Sequence, residues 1–305
     1  MFASWTAPPE TIPVTPCRAR SEDAIWLKDG RRLGYAVYGD PEGPPVLYFH
    51  GYPNCRREAG LLPVRDVRLI ALDRPGYGMS DPRPGRTLLD WADDVAALMD
   101  ALEIERAHLL GMSGGGPFAA ACAYALPERI VGTALVCPLG PAGRRLGGYS
   151  PAGLLLHLGR RKRMMRLAAG VAHRVIHRGD PLNLARRLRR GFGMAYAQMD
   201  VLGGGADELI VEGWREALRQ GVEGPLDDAR CFASPWGFDV SAIRTPVAVW
   251  HGLADRTVPP QASRWYAANI PGARGHFIEG EGHFSLIYKY HAEILGGLLS
   301  TDRRG

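Results

Sequence analysis

Between Ala107 and Leu126 an apolar stretch, a serine among glycines and a run of small apolar residues follow one another without a break. Ala107–Leu110 has the composition of a buried strand, and Pro117–Leu126 that of a buried helix. Gly111-Met112-Ser113-Gly114-Gly115 joins them. A chain that passes from strand to helix in so few residues must turn sharply, with Ser113 at the apex. Side chains two residues before and two after it would collide, and Gly111 and Gly115 have none. Gly114 and Gly116 loosen the approach further. In this setting the G-x-S-x-G spacing lifts a serine hydroxyl clear of a sheet and sets it at a helix N-terminus, where N–H groups favour developing negative charge. A phosphate-binding reading of the turn fails: there is no G-x-x-x-x-G-K-[ST], and no acidic residue is placed for a ribose.

The neighbouring segments supply a sheet for that turn. Ala24–Lys28 and Leu33–Tyr38 flank Asp29-Gly30, a hairpin signal. Val46–Phe49 and Val67–Leu72 are short apolar runs, as is Ile130–Val136. Thr87 and Asp90 resemble a capping box, and Leu88, Trp91, Val95, Leu98 and Leu102 then recur at helical spacing. Strands apolar throughout and separated by helices predict an α/β chain, with a mostly parallel sheet covered on both faces. The alternation stops over residues 139–239 and resumes at the strand Pro246–Trp250, the helix Gln261–Asn269 and the strand Gly275–Ile278. The middle hundred residues therefore read as an insertion between two strands of one sheet.

A serine hydroxyl needs a base to become a nucleophile. In the G-x-S-x-G setting the acid and base follow the serine in chain order, after later strands. Asp255 stands just past Pro246–Trp250, and His283 just past Gly275–Ile278. Other candidates for the base are His50, His251, His276 and His291. His251 ends a strand ahead of the acid, which suits a structural hydrogen bond. Asp73 and Arg74 are expected to fix their own turn.

Taken together, these segments resemble the α/β-hydrolase family over about residues 22–140 and 240–295. His50-Gly51-Tyr52-Pro53 is similar to the family's H-G-x-P loop, and residues 73–80 to its D-x-x-G-x-G-x-S turn. Residues 252–259 resemble its acid loop, and Gly282-His283 its histidine loop. The resemblance implies an eight-stranded, mostly parallel sheet with helices on both faces. It implies a division into an N-terminal arm (1–20), a core (21–138 and 240–305) and a helical cap (139–239). It implies two-step acyl transfer. Ser113 attacks a carbonyl, His283 takes and returns the proton, and Asp255 orients the imidazole. The backbone N–H groups of Tyr52 and Gly114 would form the oxyanion hole, with His50 and Gly51 shaping that loop.

The same motifs narrow the chemistry. Some relatives carry the acid after the strand that precedes the insertion, but Leu135–Pro141 holds no carboxylate. Epoxide hydrolases and haloalkane dehalogenases of the family use an aspartate where this chain has Ser113. The peptidase branch that releases N-terminal proline carries Gly-x-Ser-Trp-Gly, whereas residue 114 is glycine. No cofactor is implied, and no metal, since no His/Asp/Glu cluster stands at ligand spacing. The expectation is hydrolysis of an ester, thioester, lactone or amide of a small, largely apolar molecule. Carbon–carbon bond hydrolysis, cofactor-free perhydrolysis and biosynthetic acyl transfer or cyclisation are the alternatives on the same triad. A non-catalytic ligand-binding member is the alternative from another class.

The basic excess belongs to the insertion. The chain carries a net +5, yet residues 141–200 hold 13 Lys and Arg against 2 Asp and Glu. Arg144-Arg145, residues 160–163, Arg166 and residues 186–190 interleave with leucines 154–156, Met164, Met165, Leu167 and Val171. The plain expectation is amphipathic helices with a solvated basic face. An anionic substrate or an anionic membrane surface would be the sharper readings, and nucleic acid is not expected. Trp214, Trp236 and Phe238 could wall a pocket or pack a core. The five scattered cysteines argue against a disulfide framework. With a start that does not read as a secretory signal, they point to a reducing cytoplasm.

Overall fold

A computed structural model describes residues 12–142, 161–178, 202–204 and 206–300. Its centre is an eight-stranded sheet built from β2 (Ser21–Trp26), β3 (Arg32–Gly39), β4 (Pro45–Phe49), β5 (Arg68–Leu72), β6 (Ala107–Met112), β7 (Ile130–Val136), β9 (Val247–Gly252) and β10 (Arg274–Ile278). The strand order is β10-β9-β7-β6-β4-β5-β3-β2. The hairpin pair β2/β3 and the pair β3/β5 are antiparallel, and the other five pairings are parallel. Gly30 makes the hairpin turn at a φ of 83°.

Period-two alternation explains why apolar strands need cover on both faces. Leu47, Phe49, Ile70, Leu72, Leu109 and Leu135 face one cluster, shared with α1 (Asp90–Ala101), α2 (Gly115–Ala125) and α6 (Pro260–Asn269). Val46, Tyr48, Leu69, Ala71, Leu110 and Met112 face the other, packed by Leu286, Ile287, Ile294 and Leu298 of α7 (His283–Leu299). The Thr87–Asp90 box forms as its spacing predicts. The Thr87 N–H and Oγ1–H donate to Asp90 Oδ2 (2.7 and 2.9 Å), and the Asp90 N–H donates back to Thr87 Oγ1 (3.3 Å).

Between β7 and β9 the described residues hold α3 (Lys162–Arg178), a short β8 (Leu202–Gly204), α4 (Ala206–Ala217) and α5 (Glu223–Ala233). β8 pairs in parallel with β1 (Ile12–Val14), so the N-terminal stretch touches the inserted segment. Ile176 of α3 packs with Ile210, Val211 and Trp214 of α4 against Leu61. Met164, Leu167, Val171 and Val175 of α3 are exposed among its arginines, so its apolar residues lie on two sides. Arg166 pairs with Glu223 at 2.7 Å. Arg144-Arg145, Leu154–Leu156 and residues 186–190 lie outside the described residues. Among those described, no helix is long and apolar enough to cross a membrane.

β4 lies between β5 and β6, so the chain goes from β4 to β5 on one side and then crosses to β6 on the other. The sheet therefore changes winding direction at β4/β6, and a crevice opens beyond their carboxyl ends. Phe49, the last residue of β4, is in register with Gly111. The loop that follows β4 and the turn that follows β6 thus emerge side by side.

Candidate active site

Ser113 sits at that turn with a φ of 52°, a left-handed conformation rare for a residue with a side chain. Three backbone hydrogen bonds hold it there. Its N–H donates to Val136 O (2.8 Å), and its carbonyl accepts from Gly116 N–H (3.0 Å) and Leu139 N–H (3.1 Å). The glycines are needed for packing as well as for turning. A side-chain carbon on Gly111 would come within 2.8 Å of Ala119 Cβ and of Gly115 O. One on Gly115 would overlap the carbonyl oxygen of Phe49. Gly115→Ala is therefore expected to cost about 3 kcal/mol of stability, read by urea unfolding, because backbone on both sides of the contact cannot move aside.

Gly114 faces the loop after β4. A Cβ there would stand 2.8 Å from Tyr52 Cβ and 3.2 Å from Tyr52 N. The two backbone groups expected to form an oxyanion hole are thus brought together beside Ser113. The orientation of the Tyr52 N–H follows from its peptide plane, in which C=O and N–H point opposite ways. The carbonyl half is Gly51 O. It accepts from Asn54 N–H (3.0 Å), from His50 Nδ1–H (2.8 Å) and from Arg74 Nη2 (3.3 Å). His50 is fully buried, and burial followed by the nearby Arg74 charge holds its pKa well below the usual histidine value. With Nδ1–H on Gly51 O, its Nε2 is left to accept from Arg74 N–H (3.3 Å). His50 is a neutral brace of the loop and lies off the path of a catalytic proton.

The carboxyl ends of β9 and β10 deliver the other two residues. His283 Nδ1 lies 2.6 Å from Asp255 Oδ2. Asp255 Oδ1 accepts from Thr257 N–H (2.7 Å) and Val258 N–H (3.0 Å). Burial pushes the Asp255 carboxyl up, but His283, His251 and the backbone donors outweigh it and hold it below the usual aspartate value. The remaining histidines are engaged elsewhere. His251 Nε2 donates to Val258 O (2.9 Å), so its Nδ1 accepts from Ser263 Oγ (2.6 Å). His276 stacks on Trp250 at 4.0 Å, and His291 Nδ1 donates to Tyr288 O.

Cys137, His251 and Asp255 bring one ligand-type atom each within 4.8 Å of one another, a grouping that sequence spacing concealed. Its atoms are already used. Both His251 nitrogens are bonded, Asp255 is bonded to His283, and the Cys137 thiol, raised by burial and then by Asp255, stays a neutral neighbour of the carboxylate. The cluster reads as support for Asp255.

Three residues at the site escaped the sequence reading. Phe232 of α5 packs edge-on against Tyr52 (5.8 Å) and would lie 3.2 Å from a Gly114 Cβ. Asp228 of α5 is wholly buried and accepts from Arg74 Nε (2.8 Å), Tyr77 OH (2.8 Å) and Arg86 Nη2 (2.7 Å). Arg74 therefore does more than fix its own turn. It joins Asp228 to His50 O (2.5 Å) and Gly51 O. Asp73 does hold its turn, through Met79 N–H (2.9 Å), and it also binds Arg56 (2.7 Å), whose Nη1 reaches Glu216 of α4 at 2.9 Å. Glu58 is the third. Its carboxyl is buried beneath Gly51. Trp214, Trp236 and Phe238 pack: Trp236 stacks on Phe238 and Tyr266, and Trp214 joins the Ile176 cluster.

Comparison with known proteins shows the family. The model of the "Alpha/beta hydrolase family" matches residues 46–294. The chain is 40% identical over 126 residues to a dihydrolipoyllysine-residue acetyltransferase component of the acetoin cleaving system of Cupriavidus necator, a match covering 40% of this chain and only 33% of that protein. It is 29% identical to a non-heme chloroperoxidase of Streptomyces lividans, over 89% of this chain and 95% of that one. An esterase structure from Rhodococcus sp. ECU1013 superposes with a TM-score of 0.64 at 24% identity, covering 93% and 99% of the two chains. The matched span runs from β4 to α7 and takes in the loop after β4, the Ser113 turn and both later strand ends, so the chain belongs to the alpha/beta hydrolase family.

Proposed function

We propose that the protein is a serine hydrolase in which Ser113 is the nucleophile, His283 the general base and acid, and Asp255 the residue that orients His283. The substrate class is a carboxyl ester of a small, largely apolar molecule. The observation that carries this reading is the left-handed φ of Ser113. Strain of this kind costs about 1–2 kcal/mol, persists only where the surrounding structure enforces it, and is concentrated at active sites. The 2.6 Å Asp255–His283 contact supports the same assignment. With Asp255 on Nδ1, the imidazole keeps Nε2 for the serine proton. Tyr52 N–H and Gly114 N–H are the donors for the tetrahedral oxyanion. Water then resolves the acyl-enzyme.

The inserted segment is the cap in this reading. Phe232 and Tyr52 stand over the Gly114 turn and give the acyl pocket aromatic walls. The five cysteines are all free thiols, which suits a reducing cytoplasm. Peroxide as the acceptor in place of water is a second reading, favoured by the similarity to the chloroperoxidase.

The test is active-site labelling with a fluorophosphonate, located by mass spectrometry, followed by a panel of p-nitrophenyl esters of increasing acyl length. No adduct on the folded wild-type chain would sink the proposal. Asp255→Asn should keep the fold, because the amide oxygen can still accept from Thr257 and Val258. It leaves His283 in the wrong tautomer, so kcat is expected to fall by about 10⁴.

A further inference from the structure

Glu58 lies in a short 3-10 turn, Arg56–Leu61, that follows the Tyr52 loop, and its carboxyl turns inward. Three groups donate to it. Gly51 N–H reaches Oε2 at 2.6 Å, Tyr48 OH reaches Oε2 at 2.8 Å, and Asn54 Nδ2 reaches Oε1 at 3.0 Å. One carboxylate oxygen thus accepts from both Gly51 and Tyr48. A side-chain carbon on Gly51 would stand 3.1 Å from Glu58 Oε1 and 3.5 Å from Ser113 Cβ, so the carboxyl, the loop and the nucleophile meet around one atom's width.

The Tyr52 loop is thus gripped from both sides. Arg74 holds its carbonyls, at His50 and Gly51, and Glu58 holds its N–H at Gly51. Without the Glu58 acceptor the Gly51 N–H would be buried and unpaired, and the peptide planes could rotate to find another partner. Rotation at Gly51 would swing the next N–H, that of Tyr52, out of line with Gly114. We infer that Glu58 is a positioning residue that aims the Tyr52 N–H at the oxyanion by fixing Gly51. The inference rests on the serine-hydrolase reading above. It assigns Glu58 no contact with substrate.

The burial that serves this geometry has a cost. It raises the Glu58 carboxyl above the usual glutamate value against the opposing pull of Gly51, Tyr48, Arg74 and His283.

Three variants of the full chain separate the alternatives: Glu58→Ala, Glu58→Gln and Glu58→Asp. Each is measured for kcat and KM per fluorophosphonate-titrated site on one p-nitrophenyl ester. Each is also measured for affinity towards a phenylboronic acid, which forms a tetrahedral adduct on serine. Glu58→Ala is expected to lose about 100-fold in kcat with KM within twofold, the loss that follows removal of one oxyanion donor. Boronate affinity should fall in parallel. Glu58→Gln, whose amide oxygen still reaches Gly51, should recover most of the loss. Glu58→Asp keeps the charge but withdraws it by one methylene, and should not. If Glu58→Ala fails to fold, the Gln and Asp variants carry the comparison alone.

Wild-type kcat in Glu58→Asp, a loss confined to KM, or a good Asp variant beside a poor Gln variant would overturn the inference. The last result would mean that charge, and not reach, is what matters. A wild-type chain that neither labels nor turns over would instead overturn the serine-hydrolase reading on which the inference stands.

Discussion

Replacing Ser113 with alanine should lower kcat by roughly 10⁶-fold while leaving the fold intact, an effect of the size seen when the nucleophile of a serine triad is removed. The reason is chemical. On the proposed assignment, alanine offers no hydroxyl to attack the carbonyl, so no acyl-enzyme would form and His283 would have no proton to take. The backbone reason for an intact fold is equally direct. Alanine pays the same left-handed penalty as serine at a φ of 52°, and the bonds to Val136, Gly116 and Leu139 all use backbone atoms. Fluorophosphonate labelling should vanish with activity, and some rate above water should remain from the backbone donors. Ser113→Gly gives a second reading of the same position. It removes the penalty and should gain about 1 kcal/mol in urea unfolding while being equally inactive. A Ser113→Ala protein retaining a tenth of wild-type turnover would mean that another group is the nucleophile.

The parts of this molecule that obey local rules could be read from the sequence. Strands β4, β6 and β7 are buried on both faces, so each appears as a mostly apolar run, and the turn after β6 appears as its glycines. Even so, β6 and β9 run two residues beyond those runs. The parallel ladder of β6 with β7 continues to Gly111↔Leu135 and Met112↔Val136, and that of β9 with β10 continues to Phe277↔His251 and Ile278↔Gly252. The edge strand β2 starts three residues early because Ser21, Glu22 and Asp23 are exposed, so pairing there leaves no apolar signal.

What stayed hidden is charge that the fold buries. Arg56, Arg57 and Glu58 are three charged residues in a row, yet Arg56 and Glu58 are inside. Asp228 sits among charged residues in α5 and meets Arg74 across more than a hundred and fifty residues of chain. No periodicity marks such a pairing. A charge is predicted outside unless its partner is known, and the partner is set by the tertiary fold. Phe232 escaped for the same reason, since its neighbours Tyr52 and Phe118 come from two other segments.

Asp228→Ala should be the most destabilising single change outside the sheet. The carboxylate is wholly buried and satisfies two buried guanidinium groups and a buried phenol. Its partners cannot turn to water. Arg74 is held at His50 and Gly51, with its guanidinium carbon 4.9 Å from the centre of the Phe118 ring. Arg86 reaches Pro75 O and Gly224 O at the long distances of 3.2 and 3.4 Å. Removing one partner of such a group leaves buried charge without compensation, at about 3–5 kcal/mol. Asp228→Asn should cost less, since one oxygen remains to accept, yet it leaves two positive charges facing a neutral amide. The consequence for activity follows from Arg74. Without Asp228 the Arg74 guanidinium loses the anchor at its Nε, and its bonds to the Tyr52 loop loosen although it stays buried. The Asp228 variants should therefore lose kcat as well as stability. Arg86→Met in the Asp228→Ala background removes one of the stranded charges and should recover part of the stability. If the double variant were no more stable than Asp228→Ala alone, the stranded Arg86 charge would not be the source of the loss.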